Sequence, residues 1–295
     1  MPLLNISPKE TTIGFVGTGV MGRSMAGHLQ AAGYRIAVYT RTPAKAQSLL
    51  DAGAVWKESI ADLARDTQVI ITMVGYPVDV EEIYLGEGGM LAAAAPGTVF
   101  VDMTSSRPDL AQRIESEAKA QGLHALDAPV SGGDIGARDA TLSIMVGGEE
   151  AIFNQLRPLL EMMGKNVVYQ GGAGSGQHTK ICNQIAGAAS VIGVCESMAY
   201  AKKSGLDPET VLQSISSGAA GSWSLTNLAP RVLQDDFAAG FYMKHFVKDL
   251  KIAVESAEAI GLNIPGTKLA KELYEKLEAD GYGDLGTQAL FKYYH

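Results

Sequence analysis

Residues 12–22 read TIGFVGTGVMG, and the run RSMAGHL follows without a break. An apolar, β-branched run that ends on a glycine and opens straight into a helical pattern allows few folds. The glycines stand at Gly17, Gly19 and Gly22, the G-x-G-x-x-G spacing. In a strand–turn–helix unit each has a task. The first makes the tight turn, the second lets backbone approach a pyrophosphate, and the third lets the helix pack close on the strand. The helix start adds free N–H groups and the positive end of a dipole. Gly17, Thr18, Gly19, Val20, Met21 and Gly22 are therefore the expected dinucleotide contacts.

The pattern continues beyond the loop. Strands are predicted in TIGFVG (12–17), RIAVYT (35–40), QVIITMV (68–74), TVFVDM (98–103), LHALDA (123–128), TLSIMVGG (141–148) and NVVYQG (166–171), most of them separated by helical stretches such as DLAQRIESEAKAQG. Such alternation predicts a parallel sheet with right-handed crossovers. After Gly172 the strand signals stop, and helices are predicted over 176–204, 208–217, 225–233, 243–260 and 266–280. The expected fold class is α/β: a Rossmann-type, doubly wound parallel sheet over residues 1–172, then an all-α domain over 173–295.

Bulk properties exclude several classes. The 295 residues carry a net charge of −8 and no dense Lys/Arg run, so no nucleic-acid partner is expected. No run of 18 apolar residues exists and the N-terminus lacks a secretory pattern, so no membrane partner is expected and a cytoplasmic location is. The two cysteines, Cys182 and Cys195, are about 20 Å apart if they share one helix, too far for a disulfide. Both are read as reduced, small, buried residues. No His/Cys/Asp cluster has metal-ligand spacing, and no metal is expected.

The cofactor's 2′ position is read at the end of the second strand, VYTRTPAK. Thr40, Arg41 and Thr42 stand there, and the turn holds no carboxylate. A carboxylate repels a 2′-phosphate, whereas an arginine pairs with one. NADP(H) is therefore preferred, with NAD(H) possible; the alternative leaves Arg41 a solvated loop residue. MVGYP (73–77) and DMTSS (102–106) end strands at the same edge, bringing Val74 and Thr104 into the set, with Thr104 facing the nicotinamide or its ribose.

GSGQHTKICNQIAGAASVIGVC (174–195) sets Lys180, Asn183 and Gln184 at the start of a helix built from small apolar residues. The two amides lie three and four positions beyond the lysine, on its face of the helix. An ammonium polarises a carbonyl and protonates a developing alkoxide; the neutral amine accepts the proton in reverse. An ordinary lysine pKa of about 10.4 suits only the first role, and desolvation lowers it. The bland reading is a surface lysine. His178 is read as structural or surface. Ser131, Gly132 and Gly133 in VSGGD offer a hydroxyl and close backbone approach to a carboxylate, or only a β-turn. Trp223 is a substrate-pocket wall or a core aromatic. In HFVKDLKIAVESAEAIG, Phe246, Leu250, Ala253, Val254, Ala257 and Ile260 share one face, and Lys248 lies nearly opposite, where spacing alone makes it solvated.

Four segments in order, GFVGTGVMG (14–22), DAPVSGGDIGARDATLSIMVGG (127–148), GAGSGQHTKICNQ (172–184) and KHFVKDLKIA (244–253), resemble the β-hydroxyacid dehydrogenases. That family includes 3-hydroxyisobutyrate dehydrogenase, tartronate semialdehyde reductase and glyoxylate/succinic semialdehyde reductase. The resemblance implies a Rossmann-type domain, a helical domain, and cofactor and substrate held between them. It implies an NAD(P)-dependent oxidoreductase moving a hydride between nicotinamide and a small β-hydroxyacid or its semialdehyde, with Lys180 as acid/base. Ser131, Gly132 and Gly133 then bind substrate, Lys248 reaches the cofactor, Asp249 supports the site and Phe241 caps the nicotinamide pocket. The start of the Lys180 helix is expected near an anionic ligand. Family members commonly carry asparagine where this chain has Gln184, which leaves open whether Asn183 or Gln184 makes the catalytic contact. Tyr76 also replaces the more usual residues of its loop. A homodimer or homotetramer is implied. The rival readings are an imine reductase, which on this scaffold usually lacks the lysine; a 6-phosphogluconate dehydrogenase, generally a much longer chain; and a catalytically idle dinucleotide sensor.

Overall fold

The structure is a computed structural model and describes residues 6–294. The chain divides into two compact units, the first ending at Lys180 and the second beginning at Ile181. The helix Ser175–Lys203 crosses that division.

Among the described residues the first unit holds nine strands in one sheet: β1 Thr12–Val16, β2 Arg35–Tyr39, β3 Val55–Trp56, β4 Val69–Thr72, β5 Val99–Asp102, β6 His124–Asp127, β7 Val130–Ser131, β8 Leu142–Gly148 and β9 Gly164–Gly171. Their order is β3-β2-β1-β4-β5-β6-β8-β7, with β9 beside β8. The first six pair in parallel, Ile13 against Ile36 on one side and Val69 on the other. The chain winds outward from β1 to β3, then returns to β4 and winds the other way. The reversal lies between β1 and β4, and ligands of such sheets bind outside the carboxyl ends of the strands there.

The strands read as continuous apolar runs because both faces are covered. Successive side chains alternate between two cores. Ile13, Phe15, Ile36, Val38, Val69, Ile71, Val99 and Val101 pack on one side. Val16, Ile70 and Phe100 pack on the other, with Leu63, Val80 and Tyr84 from the helices Ile60–Arg65 and Pro77–Leu85.

The sheet is parallel only in part. β8 runs antiparallel to β6 and β7, and β9 returns parallel to β8. The link from β6 to β8 holds only β7 and the six-residue helix Gly133–Arg138, and the chain turns back there instead of crossing over the sheet. The two-residue strands β3 and β7 were not predicted; neither is long enough to show a periodicity.

The second unit is helical, with no strand among its described residues beyond a lone bridge between Tyr242 and Gly286. Ala188, Val191, Val194, Cys195 and Met198 of the long helix share a core with Phe246, Val247 and Leu250 of the helix Met243–Ala259 and with Ala270, Tyr274 and Leu277 of the helix Pro265–Leu277. The Phe246 and Tyr274 rings meet edge to face at 5.1 Å. The helix expected over 225–233 is two short ones, Trp223–Asn227 and Ala229–Leu233. Pro230 explains the break, since it has no N–H to continue the ladder. The long helix is also less buried than its composition suggests: Cys182, Ala186, Ala189, Gly193 and Tyr200 are exposed. Cys195 is buried as expected, but Cys182 is not. Among the described residues no helix is long and apolar enough to cross a membrane, and no group of three metal-ligating side chains stands together.

Candidate active site

The glycine loop sits at the reversal point. Gly17 follows β1 with φ +92°, and a Cβ there would lie 2.3 Å from the Met73 carbonyl oxygen. A Cβ on Gly22 would lie 2.0 Å from the Gly17 carbonyl oxygen. Both glycines are thus required by the turn itself. Gly19 is different: a Cβ on it would meet no atom within 4 Å. It faces open space at the N-cap of the helix Val20–Ala31, which has no side-chain cap and no acidic residue in its first turn. The amides that open a helix have no partner within it. Beside them the buried Thr18 hydroxyl has no hydrogen-bond partner. Unpaired amides, an orphaned hydroxyl and a position kept clear of side chain fit a pyrophosphate.

At the end of β2, Thr40 is half-buried, and Arg41 and Thr42 are exposed. Arg41 is exposed and forms one surface ion pair. Its Nη1 donates to Asp79 Oδ1 at 3.0 Å, while Asp79 Oδ2 accepts the Tyr76 amide at 3.0 Å. Sequence reading missed Asp79. The spacing from Tyr76 and Pro77 marks it as a helix-capping residue, but nothing local places it against a side chain 38 positions earlier.

The ends of β4, β5 and β6 are tied by hydrogen bonds. The Thr104 hydroxyl accepts the Val74 amide at 3.0 Å, and the Thr104 amide donates to Asp102 Oδ1 at 3.1 Å. Asp102 also accepts the Thr72 hydroxyl at 2.7 Å. Burial pushes the Asp102 carboxyl up to about 6, against the pull of these donors. Asp127 at the end of β6 accepts the amides of Gly174 and Gln177, both at 2.8 Å. Its carboxyl is also raised, chiefly by burial. Two amides at the start of the long helix, those of Gly174 and Gln177, are therefore taken by the protein's own carboxylate. Gln177, which sequence reading did not single out, donates to the Thr104 carbonyl at 2.8 Å and accepts the Ser106 amide at 2.9 Å. The long helix thus starts locked to the strand ends, one turn before Lys180.

Lys180 is buried, with 8% of its surface exposed, which sets aside the surface-lysine reading. Gln184 is buried one turn on, and Asn183 is half-buried. Asn183 Nδ2 donates to Gln184 Oε1 at 2.7 Å, and Gln184 Nε2 donates to Asp249 Oδ2 at 2.5 Å. A carboxylate only accepts, so Asp249 fixes which end of each amide points where. Lys248 pairs with Asp249 Oδ1 at 3.0 Å, with 12% and 3% of the two side chains exposed. The solvated lysine that spacing predicts is therefore a half-buried one. The helix Met243–Ala259 is covered on several sides, since Val247, Asp249 and Ile252 are buried along with the apolar face. Nearby, His245 is held below its ordinary pKa by burial and then by Lys248.

Ser131 ends β7, while Gly132 (φ +133°) and Gly133 (φ +63°) open a short helix, not the β-turn that was the alternative. Trp223 is 67% exposed and so is no core aromatic. Phe241 lies against Phe246 at 5.8 Å, at the border of the second unit's core.

Comparison with known proteins gives these groups a context. The family model described as the NAD binding domain of 6-phosphogluconate dehydrogenase matches residues 12–172, and that described as NAD-binding of NADP-dependent 3-hydroxyisobutyrate dehydrogenase matches residues 174–294. The glycine loop, switch point and helical partner unit thus define a nicotinamide-dependent oxidoreductase. An uncharacterized oxidoreductase of Bacillus subtilis is 58% identical over 96% of this chain and 98% of its own. The 2-hydroxy-3-oxopropionate reductase of Escherichia coli is 41% identical over 94% and 95%. Among solved structures, the 3-hydroxyisobutyrate dehydrogenase of Mycobacterium tuberculosis with L-serine is similar at a TM-score of 0.89, with 32% identity over 96% of this chain and 98% of that one. The chain belongs to the β-hydroxyacid dehydrogenase family, of which 3-hydroxyisobutyrate dehydrogenase is a member.

Proposed function

We propose that this chain interconverts a small β-hydroxyacid and its semialdehyde, prefers NADP(H), and uses Lys180 as acid/base. The family relatives that act on 2-hydroxy-3-oxopropionate or were solved with L-serine support a small, polar, three-carbon type of substrate. The bound nicotinamide gives or takes the hydride. The glycine loop and Thr18 hold the pyrophosphate, Arg41 reads the 2′-phosphate, and Ser131, Gly132 and Gly133 receive the substrate carboxylate.

The observation that carries the reading is a buried lysine one helical turn from a fixed amide pair. In reduction the Lys180 ammonium donates its proton to the carbonyl oxygen as hydride arrives at carbon. In oxidation the neutral amine takes the hydroxyl proton. The choice between the amides follows from their polarity. Gln184 is occupied on both ends, by Asp249 and by Asn183. Asn183 spends one N–H on Gln184, which leaves its second N–H to donate to the reacting oxygen while Lys180 handles the proton. Asn183 is then the contact and Gln184 its positioning residue.

A panel of small semialdehydes, followed by loss of NADPH and NADH absorbance, tests the reaction. Turnover is expected on at least one, with NADPH the better donor. Lys180→Ala is expected to lower kcat by about a thousandfold with cofactor affinity retained. Near-wild-type turnover by that variant on the true substrate rules out the mechanism, and no turnover across the panel rules out the substrate class.

A further inference from the structure

We propose that Asp79 sets how strongly the site discriminates for the 2′-phosphate. It supplies, from the helix after β4, the carboxylate that the turn after β2 lacks. The proposal rests on the reading of Arg41 as the 2′-phosphate contact.

The two partners of this pair are not equivalent. Asp79 is 13% exposed and fixed at its other oxygen by the Tyr76 amide; the Arg41 side chain is 75% exposed. The carboxylate is the more firmly held partner, tied at both oxygens, and the guanidinium the more exposed one. Asp79 occupies one of the five N–H donors of the fork, and the others stay available to a phosphate. A dinucleotide seated on the Gly17–Gly22 loop brings its ribose 2′ position to the end of β2. A phosphate arriving there meets a neutralised pair and a carboxylate within one side chain's reach, not a bare cation. An unphosphorylated ribose meets an acceptor for its hydroxyls. Asp79 therefore weakens the phosphorylated form and supports the other, and the chain takes both with a moderated preference.

Isothermal titration of the full chain with 2′-phospho-ADP-ribose and with ADP-ribose reads this without turnover. Asp79→Asn keeps an oxygen for the Tyr76 amide and removes the charge. Its ratio of affinities for the phosphorylated over the plain ligand is expected to rise about fivefold at low ionic strength, the scale of one nearby charge in water. Asp79→Ser, whose hydroxyl also accepts that amide, carries the same expectation if the first variant does not fold. Asp79→Glu keeps the charge and is expected to stay within twofold of wild type. A neutral variant that raises the ratio less than twofold, or a Glu variant that raises it as much, overturns the proposal. Arg41→Ala separates the two readings. A ratio unchanged in that variant means the role of Arg41 is wrong, whatever Asp79 does; a collapsed ratio upholds it.

Discussion

The molecule holds two Lys/Arg–Asp pairs of equal length in opposite surroundings. Arg41–Asp79 closes at 3.0 Å with an exposed arginine in the first unit, and Lys248–Asp249 at 3.0 Å between a half-buried lysine and a buried carboxylate in the second. Their equal geometry hides unequal energetics. An exposed pair is screened, holds flexible side chains in place at an entropic cost, and contributes at most about 1 kcal/mol. A largely buried pair has lost most of its water. It need not stabilise the fold relative to apolar residues, but removing one member strands the other. The first pair is suited to adjusting a preference. The second is suited to fixing an arrangement, and what it fixes here is the amide line from Asp249 through Gln184 to Asn183.

The largest way to break the contrast is Asp249→Leu. It takes the carboxylate from beside the half-buried Lys248 and the acceptor from the buried Gln184, and is expected to cost about 3 kcal/mol in urea unfolding. The double variant Lys248→Met with Asp249→Leu is expected to recover part of that loss, because the half-buried charge is removed as well. Equal stability of the single and double variants would show that the ion pair is not what matters there.

Asp102 extends the comparison to a buried carboxylate held by neutral donors, with no cation among its hydrogen-bond partners. Its folded pKa, about 6, lies above its ordinary value of 3.8. The sign follows from that direction. Its protonated form is favoured in the folded state, so this contribution is fully present below about pH 4 and is lost as pH rises through 6. The loss by pH 7 is on the order of 2–3 kcal/mol. Asp102→Asn keeps an oxygen for the Thr72 and Thr104 donors and cannot ionise. Wild type minus variant stability, from denaturant curves at pH 4 to 7.5, is therefore expected to fall with rising pH. A flat difference removes the titration.

Local chemistry was legible in the sequence. The glycine loop, the strand runs and the helical second half all follow from spacing, since a residue's neighbours along the chain decide them. Burial of Lys180 was foreshadowed by the apolar helix around it. What escaped depends on residues far apart in sequence. Asp79 finds Arg41 across two strands, Gln184 finds Asp249 across 65 positions, and Asp127 finds the Gly174 amide across 47. Lys248 was misjudged because a helical wheel assumes one buried face, and this helix is buried on several. The antiparallel β8 was hidden for a similar reason: strand direction is set by the length of the connection, not by the strand's own residues.

The smallest effect sharpens the comparison most. Arg41→Ala removes a pair as short as the buried one, yet is expected to change unfolding free energy by less than about 0.5 kcal/mol. Raising ionic strength to screen surface charge is expected to shrink even that difference. Asp79→Ala is expected to cost more than Arg41→Ala, because Asp79 also accepts the Tyr76 amide at the start of its helix, and a lost cap typically costs about 1 kcal/mol. The excess of the second value over the first isolates the cap from the ion pair. If the two losses are equal and both vanish in salt, the Tyr76 bond contributes nothing, and the carboxylate is no firmer an anchor than the arginine it holds.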